Sequence, residues 1–472
     1  MAGNGGRSGI GSSLALTLGS AVLWGLAHIW VGRRVTGACL MGICLTLAAG
    51  VTTALLTAGP PLLSLIVQPA WLWSFALAAM LFATATVAVV IRSYQLVRPE
   101  SLSGTARYLS ALAVGLLCAV VVAPMAYATR LAYISRSVVN SVFATSTTPI
   151  PVDPWKGRER LNILLIGADA APNRPGVRTD SMTVASINTT TGETVLFGLP
   201  RNLENVPMPP GPALDRFPFG FEGEPPYSEG LLNEVFQYAE DYPEMAPKLA
   251  KGHRGPALLK RTISGITGLD IANYAMVDMR GFIEIVDAMG GVKVTVKDPI
   301  VYGKQNEGLI TSGTRRLSGE EALWYGRART YSDDYVRMGR QKCLLNAVVK
   351  QADPVTVLSS FEKLAHATMN AVSTDIPQEL LPKLIDLSSK VKNSQIKSFQ
   401  FVPPLINTGS PDYDLIKRKV ADILAEPPAP PVVAAGRGDA ADGGRKGSQR
   451  HGRQSDGTAS VQRAVTLDTA CR

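Results

Sequence analysis

Apolar residues are spread unevenly along the chain. Residues 13–31, 37–58, 71–91 and 109–128 are four apolar stretches without Asp, Glu, Lys or Arg, and His28 is their only potential cation. A helix needs about 20 residues to cross a hydrocarbon core, so each stretch predicts a membrane span. The first is too long for the core of a secretory signal, and three more follow it. Beyond residue 150 the pattern changes to short mixed runs. Residues 161–166 are an apolar run of strand length, and 181–188 and 193–199 flank the Thr/Gly turn 189–192 as a hairpin. Residues 202–228 carry seven prolines and predict a long surface loop. Helices are predicted over 231–242, over 257–266 (Leu258, Leu259, Ile263 and Ile266 on one face), over 281–289, from the capping box Ser318–Glu321, over 335–351 and over 376–391. Strands are predicted at 274–277, 292–296 and, last, 396–402. The fold class is α/β: a mixed central sheet flanked by helices, preceded by a four-helix transmembrane region.

The resulting division is a stub at 1–11, four spans within 12–130, a linker at 131–157, an α/β domain at 158–425, and a polar, disordered tail at 426–472 ending in Cys471. The tail is rich in Pro, Gly, Ala, Ser and charge and lacks the apolar surface to order itself, although Val and Leu return in its last twelve residues.

Charge sharpens this picture. Only 18% of residues are charged, against about 25% in ordinary globular chains. The net +9 sits mainly in residues 1–150, which hold eight Arg, no Lys and the single acid Glu100; residues 151–425 balance 32 bases with 32 acids. A basic surface for nucleic acid is therefore not indicated, and a wholly soluble enzyme is excluded. Arg33 and Arg34 follow the first stretch, none follows the second, and Arg92, Arg98 and Arg107 follow the third. The positive-inside rule then places the stub and everything after the fourth span outside the cytoplasm, with Arg7, Arg130 and Arg136 as the smaller opposing set. In such a compartment Cys343 and Cys471 can pair and tether the tail end; two free thiols are the alternative.

With four histidines, no nucleophile elbow and no P-loop in the sequence, candidate chemistry rests on Asp and Arg. Asp169 follows the first strand, and Asp180 opens the hairpin. Two such carboxylates can share one Mg²⁺, or they can be ordinary loop acids. Arg201 ends the hairpin, and Arg327 and Arg329 share a face if extended. Arg337, Arg340 and Gln341 share a helix face that continues into Leu344, Leu345 and Val348, so they point inward and need anionic partners. Asp333 and Asp334 can supply them as a salt-bridge network; a bound pyrophosphate can as well.

At these residues the chain resembles the LytR-CpsA-Psr family of bacterial cell-wall ligases. The resemblance rests on ordered blocks within 161–351: residues 162–169, Arg178-Thr-Asp180 with Ser181 and Met182, Gly198-Leu-Pro-Arg201, Leu232-Asn233, Phe282 through Val292, residues 317–323, Tyr325 through Arg329, and Asp334 through Arg337 with Arg340-Gln341. It implies a membrane-anchored enzyme with an extracytoplasmic catalytic domain. Such an enzyme takes a polyprenyl-pyrophosphate-linked glycopolymer as donor and transfers the phosphoglycan to peptidoglycan, at the muramic acid C6 hydroxyl. Asp169 and Asp180 match the family's Mg²⁺ ligands; Arg178, Arg201, Arg327, Arg329, Arg337, Arg340 and Gln341 match its pyrophosphate contacts, and Asp334 an acid of the same site. The lipid would enter an apolar pocket between sheet and helices. Hydrolysis of the same donor, or a non-enzymatic envelope regulator binding lipid-linked glycan, are the other readings of such a site. One departure stands out: the family's Pro-Arg-Asp is Pro-Arg201-Asn202 here, and Asn202 cannot act as a charged base. The Ala/Gly/Arg-rich composition and Cys-containing C-terminus resemble actinobacterial members.

Overall fold

The computed structural model describes residues 10–57, 68–99, 104–144, 151, 153–169, 176–224, 228–303, 305–329, 333–351, 360–426 and 464–471. Most of the predicted stub, the loop before the third stretch and the tail up to residue 463 lie outside these residues. The chain forms two compact units, Met1–Thr148 with Pro377–Asp386, and Pro149–Ile376 with Leu387–Arg472.

The first unit is helical: α1 (Ile10–Val22), α2 (Leu26–Trp30), α3 (Arg34–Thr57), α4 (Pro69–Val97) and α5 (Gly104–Val142). Three of these, α3, α4 and α5, are long and apolar enough to cross a membrane. The fourth expected span, 13–31, is instead broken into α1 and α2. The break is at Gly25, whose φ of 92° is left-handed. A Cβ there would lie 2.3 Å from the Gly37 carbonyl oxygen, so the backbone turns back against α3 where only glycine fits. Ser13 Oγ donates to the Val97 carbonyl, and Trp24 stacks on Phe82, which ties α1 and the break to α4. The linker expected from residue 131 also differs, because α5 runs on to Val142 without a helix stop.

The second unit is built on a seven-stranded mixed sheet, as expected. Its strands are β1 (Arg160–Asp169), β2 (Arg178–Asn188), β3 (Thr194–Leu199), β4 (Ile271–Asp278), β9 (Val372–Thr374), β10 (Ile396–Gln400) and β11 (Val465–Thr466), in the order β11-β10-β3-β2-β1-β4-β9. The hairpin β2–β3 is antiparallel, as is β1 to β2, whereas β4 runs parallel to β1 and β10 parallel to β3. Two further pairs, β5 (Val292–Val296) with β8 (Gly313–Leu317) and β6 (Ile300–Tyr302) with β7 (Gly308–Ile310), stand apart from it. The 292–296 strand was therefore correctly expected but belongs to a separate small sheet.

Side chains alternate across a strand, and here the two faces differ in size. Leu164, Ile166, Met182, Val184, Val195, Phe197 and Phe399 point one way into the main core. There they meet α6 (Pro212–Arg216), α7 (Val235–Asp241), α8 (Arg254–Thr267) and α14 (Tyr413–Ala425). The proline-rich segment 202–228 is not merely a surface loop. Leu203, Val206, Met208, Phe217 and Phe221 are buried in this core, held by one antiparallel bridge between Val206 and Phe221, while Phe219 stays exposed. The opposite face presents Gly167, Ser181, Thr183, Gly198, Ala275 and Ser398 toward α9 (Met279–Ala288), α10 (Gly319–Arg327) and α11 (Asp334–Gln351). These small residues do not fill the gap, and a cavity remains.

The capping box forms as expected: Glu321 N–H donates to Ser318 Oγ and Ser318 N–H to Glu321 Oε2. Four helices of this unit were not foreseen: α6, inside the proline-rich segment, α12 (Phe361–Ala371), α14, and a final turn, α15 (Leu467–Ala470). The expected 376–391 helix is a 3₁₀ turn followed by α13 (Leu381–Lys392). The end of the predicted disordered tail is ordered. β11 pairs with β10 at the sheet edge, Leu467 is fully buried, and Cys471 is joined to Cys343 of α11 across a Cα–Cα distance of 5.4 Å. Only Cys39, Cys44 and Cys118 are then free.

Tethering residues 128 apart in sequence removes loop-closure entropy from the unfolded chain. Cys471→Ser is therefore expected to destabilise the second unit by about 2–4 kcal/mol in denaturant unfolding. Thiol titration of the denatured, unreduced protein should find three reactive cysteines; five would show that the bridge does not form.

Candidate active site

The gap between the sheet and α9–α11 is a cavity of about 760 Å³, within the usual size range of ligand sites. Its walls include Leu165, Leu196, Val277, Phe282, Leu323 and Leu344, and its polar residues include Asp169, Arg178, Asp180, Arg201, Arg327, Arg329, Arg337 and Gln341. Eight of the residues expected to form the site thus line one space.

Local structure explains how they meet. Asp169 ends β1 and faces Arg178 across the ladder. Register then slips: Ala168 faces Thr179, but Gly167 faces Ser181. Asp180 is the extra residue of a β-bulge. Strict alternation would turn Asp180 away from the face that carries Ser181; the bulge lets both reach the cavity. Arg201 follows β3, and Arg327 and Arg329 leave the end of α10. The first turn of α11 supplies Asp334 and Arg337.

These groups form one ionic network. Arg201 Nη1 donates to Asp180 Oδ1 at 2.5 Å, and Arg201 Nε lies 3.6 Å from Asp334 Oδ1. Arg329 Nε is 3.2 Å from the same oxygen. Arg337, 2% exposed, forks onto Asp334 with Nε and Nη2 at 3.1 and 2.9 Å, while its Nη1 donates to the Asp180 carbonyl. Arg327 Nη2 reaches Asp169 Oδ2 at 3.4 Å, and its guanidinium lies over Trp324. Burial alone would raise the Asp334 pKa; the hydrogen bonds from Arg337, then the charges of Arg337, Arg201 and Arg329, outweigh it and hold it below the ordinary value. Arg329 is lowered, first by burial and then by Arg201, with Asp334 only partly compensating. Six cations (Arg178, Arg201, Arg327, Arg329, Arg337 and Lys342) face four carboxylates (Asp169, Asp180, Asp278 and Asp334), an excess of two positive charges. Among the described residues Arg178 makes no ion pair and is exposed beside the cavity.

Two expected site residues do not line the cavity. Asp334 sits behind it as the hub of the arginines. Arg340 donates to the Ala328 carbonyl, bracing the turn between Arg327 and Arg329. Gln341 lines the cavity and also donates to the Gly326 carbonyl. Asn202, at the departing position, donates to Thr408 Oγ1 and takes no place in the network. Asp278 also lines the cavity but caps α9 by accepting from the Gly281 N–H, which leaves Asp169 and Asp180 as the carboxylates that could hold a cation. Among the described residues no three His, Cys, Asp or Glu side chains cluster to do so. Two carboxylates with water and substrate phosphate completing the shell is a set Mg²⁺ accepts, so the residues fit an ion that arrives with a phosphorylated ligand.

Sequence reasoning missed Lys342, which lines the cavity and has no ion pair among the described residues; burial, then Lys297, pulls its pKa down. It also missed the small residues of the sheet face. Their recurrence at alternate positions, 167 in β1, 181 and 183 in β2, 198 in β3 and 398 in β10, was the available signal.

The chain that folds around this cavity is a LytR-CpsA-Psr protein. The LytR_cpsA_psr family pattern matches residues 133–414, and the chain belongs to that family. It is 26% identical over 243 residues to the polyisoprenyl-teichoic acid–peptidoglycan teichoic acid transferase TagU of Oceanobacillus iheyensis, covering 51% of this chain and 66% of that protein. It is 36% identical over 122 residues to the probable cell wall biosynthesis protein LcpB of Corynebacterium glutamicum, covering 25% and 29%. The chain thus spans less than two thirds of the length of these relatives. A solved structure, protein gbs0355 of Streptococcus agalactiae, is 24% identical over 52% of this chain and 78% of its own, with a TM-score of 0.40.

A group whose folded pKa is depressed stabilises above its unfolded value, about 3.9 for Asp, and loses that contribution as pH falls through the folded value. Asp334→Asn should therefore lower Tm most at neutral pH, and the gap from wild type should close below about pH 4. A gap independent of pH would show that Asp334 acts by shape and not by charge.

Proposed function

We propose that this protein is a membrane-anchored phosphotransferase that moves a phosphoglycan from a polyprenyl-pyrophosphate carrier to a peptidoglycan hydroxyl, the muramic acid C6 hydroxyl. The observation that carries the reading is the pairing of two opposite environments in one cavity: apolar walls, and a rim with two more positive than negative charges. Few biological ligands match both; a lipid diphosphate does. The arginines' planar forks suit phosphate oxygens. Family membership and the activity of the teichoic acid transferase relative support the same class.

In this reading Arg178, Arg201, Arg327 and Arg329 bind and orient the pyrophosphate, and Arg337 and Asp334 hold them in register. The acceptor oxygen bonds to the phosphorus that bears the glycan, and the bond from that phosphorus to polyprenyl phosphate breaks. The acceptor proton passes to a carboxylate of the rim, Asp169 or Asp180. Arginines already aimed at the leaving phosphate stabilise its growing charge without reorganising. Mg²⁺ bound by Asp169 and Asp180 would supply further charge neutralisation at the diphosphate.

Orientation follows from the three long helices. Arg33 and Arg34 stand at the start of α3, and Arg92, Arg98 and Arg107 at the ends of α4 and α5 that adjoin their loop. With these in the cytoplasm, the chain leaves α5 on the outer side. At 1.5 Å per residue α5 is roughly 58 Å long, well beyond a hydrocarbon core of about 30 Å, so Arg130 and Arg136 in its last turns can clear the core and cease to oppose this orientation. The catalytic unit then faces the wall, where peptidoglycan is.

The test is a transfer assay on the detergent-solubilised full chain with synthetic polyprenyl-pyrophosphate glycan and peptidoglycan fragments. Release of polyprenyl phosphate should require acceptor; release without acceptor would establish hydrolysis, and binding without release a regulator. Asp169→Ala and Asp180→Ala should each abolish Mg²⁺-dependent turnover, and a fully active Asp180→Ala would overturn the metal assignment. Arg327→Ala should weaken donor affinity about 10- to 100-fold, the loss of one charged hydrogen-bonding group.

A further inference from the structure

A second apolar space lies beside the main cavity. Its volume is about 170 Å³, and it shares Leu165, Leu196 and Leu345 with the larger one. Thr194 and Asn346 are its only polar lining residues. The two lie against the same face of the sheet, and three apolar side chains form lining for both. The rim arginines line the first chamber and not the second.

The wall of the second chamber includes the C-terminal peptide. Leu467, with no exposed surface, packs on Ala185 and Leu196. That peptide is held at both ends of the gap. Val465 and Thr466 pair with Ser398 and Lys397 at the sheet edge, and Cys471 is bonded to Cys343 on α11. Eight residues from the end of the chain thus bridge sheet and helix across an apolar void.

We propose that the C-terminal peptide closes the far end of the lipid site, that the second chamber receives the distal isoprene units, and that Leu467 limits the chain length accepted. This rests on the lipid-diphosphate reading above. A cavity of about 760 Å³ is of the size that holds a drug-like ligand, which is shorter than a long polyprenyl chain, and the adjoining chamber is where further apolar length can be buried. Leu467 is a specificity-determining residue here, without contact to the reacting atoms.

The experiment measures binding of undecaprenyl phosphate and farnesyl phosphate to the detergent-solubilised full chain by native mass spectrometry. Ala185→Phe fills the second chamber. It should weaken undecaprenyl phosphate about ten-fold, the loss of roughly two buried methylene groups, and leave farnesyl phosphate unchanged. Leu467→Ala enlarges the chamber and should raise the undecaprenyl-to-farnesyl preference. The proposal is overturned if Ala185→Phe leaves undecaprenyl phosphate unaffected, or if Leu467→Ala leaves the ratio unchanged, a result that stands even where Ala185→Phe fails to fold. A wild type that binds neither lipid removes the lipid reading itself; a wild type that binds both while neither variant discriminates removes the second chamber and the C-terminal peptide from the lipid site and leaves the lipid reading standing.

Discussion

A sheet can bury both faces only if each meets a matching layer. In this domain the faces carry side chains of different size. One face, with Leu164, Met182, Phe197 and Phe399, is packed solid against α7, α8 and α14. The other, with Gly167, Ser181, Thr183, Gly198 and Ser398, faces α9–α11 across a gap it cannot fill. The filled face supplies the burial that stabilises the domain, and so frees the other to stay hollow. That hollow brings together the apolar walls, the charged rim and the C-terminal peptide at its side.

The rim meets a different constraint. Arginines directed into a half-buried site need anionic partners, and a complete set would neutralise the site. Asp334 is the compromise. It gathers Arg201, Arg329 and Arg337 into a fixed array but balances only one of them. Of the two readings of the arginines in sequence, the salt-bridge network is present, and it does not compete with the proposed anion site. The network positions the cations and leaves them with a deficit of negative charge, the feature on which the proposed pyrophosphate site rests. Arg340 belongs to the support of this array, through the Ala328 carbonyl, and not to its surface.

The membrane region shows how one close contact can override composition. Residues 13–31 are apolar enough to span. A left-handed Gly25 against Gly37 breaks them into two short helices folded onto α3 and α4. Hydropathy reports the solvent a segment tolerates, and says nothing about where the backbone turns.

Much of this protein is determined locally and was therefore legible. Strands β1 to β3, the amphipathic α8, the Ser318–Glu321 capping box and the inward face of α11 each depend on neighbours in sequence, through alternation, helical period or a cap hydrogen bond. The candidate site residues were named from chain punctuation and from family resemblance, and the fold brings eight of them to one cavity. Only the tertiary structure decided the rest. The bulge that aims Asp180 depends on the register of two strands. The burial of the proline-rich segment depends on a core assembled from α7, α8 and α14. The fate of Leu467 and Cys471 depends on partners on β10 and α11, distant in the chain. Sequence fixes what each segment can bury and which charges it carries; which surfaces meet, and what space they leave between them, is set when distant segments pack together.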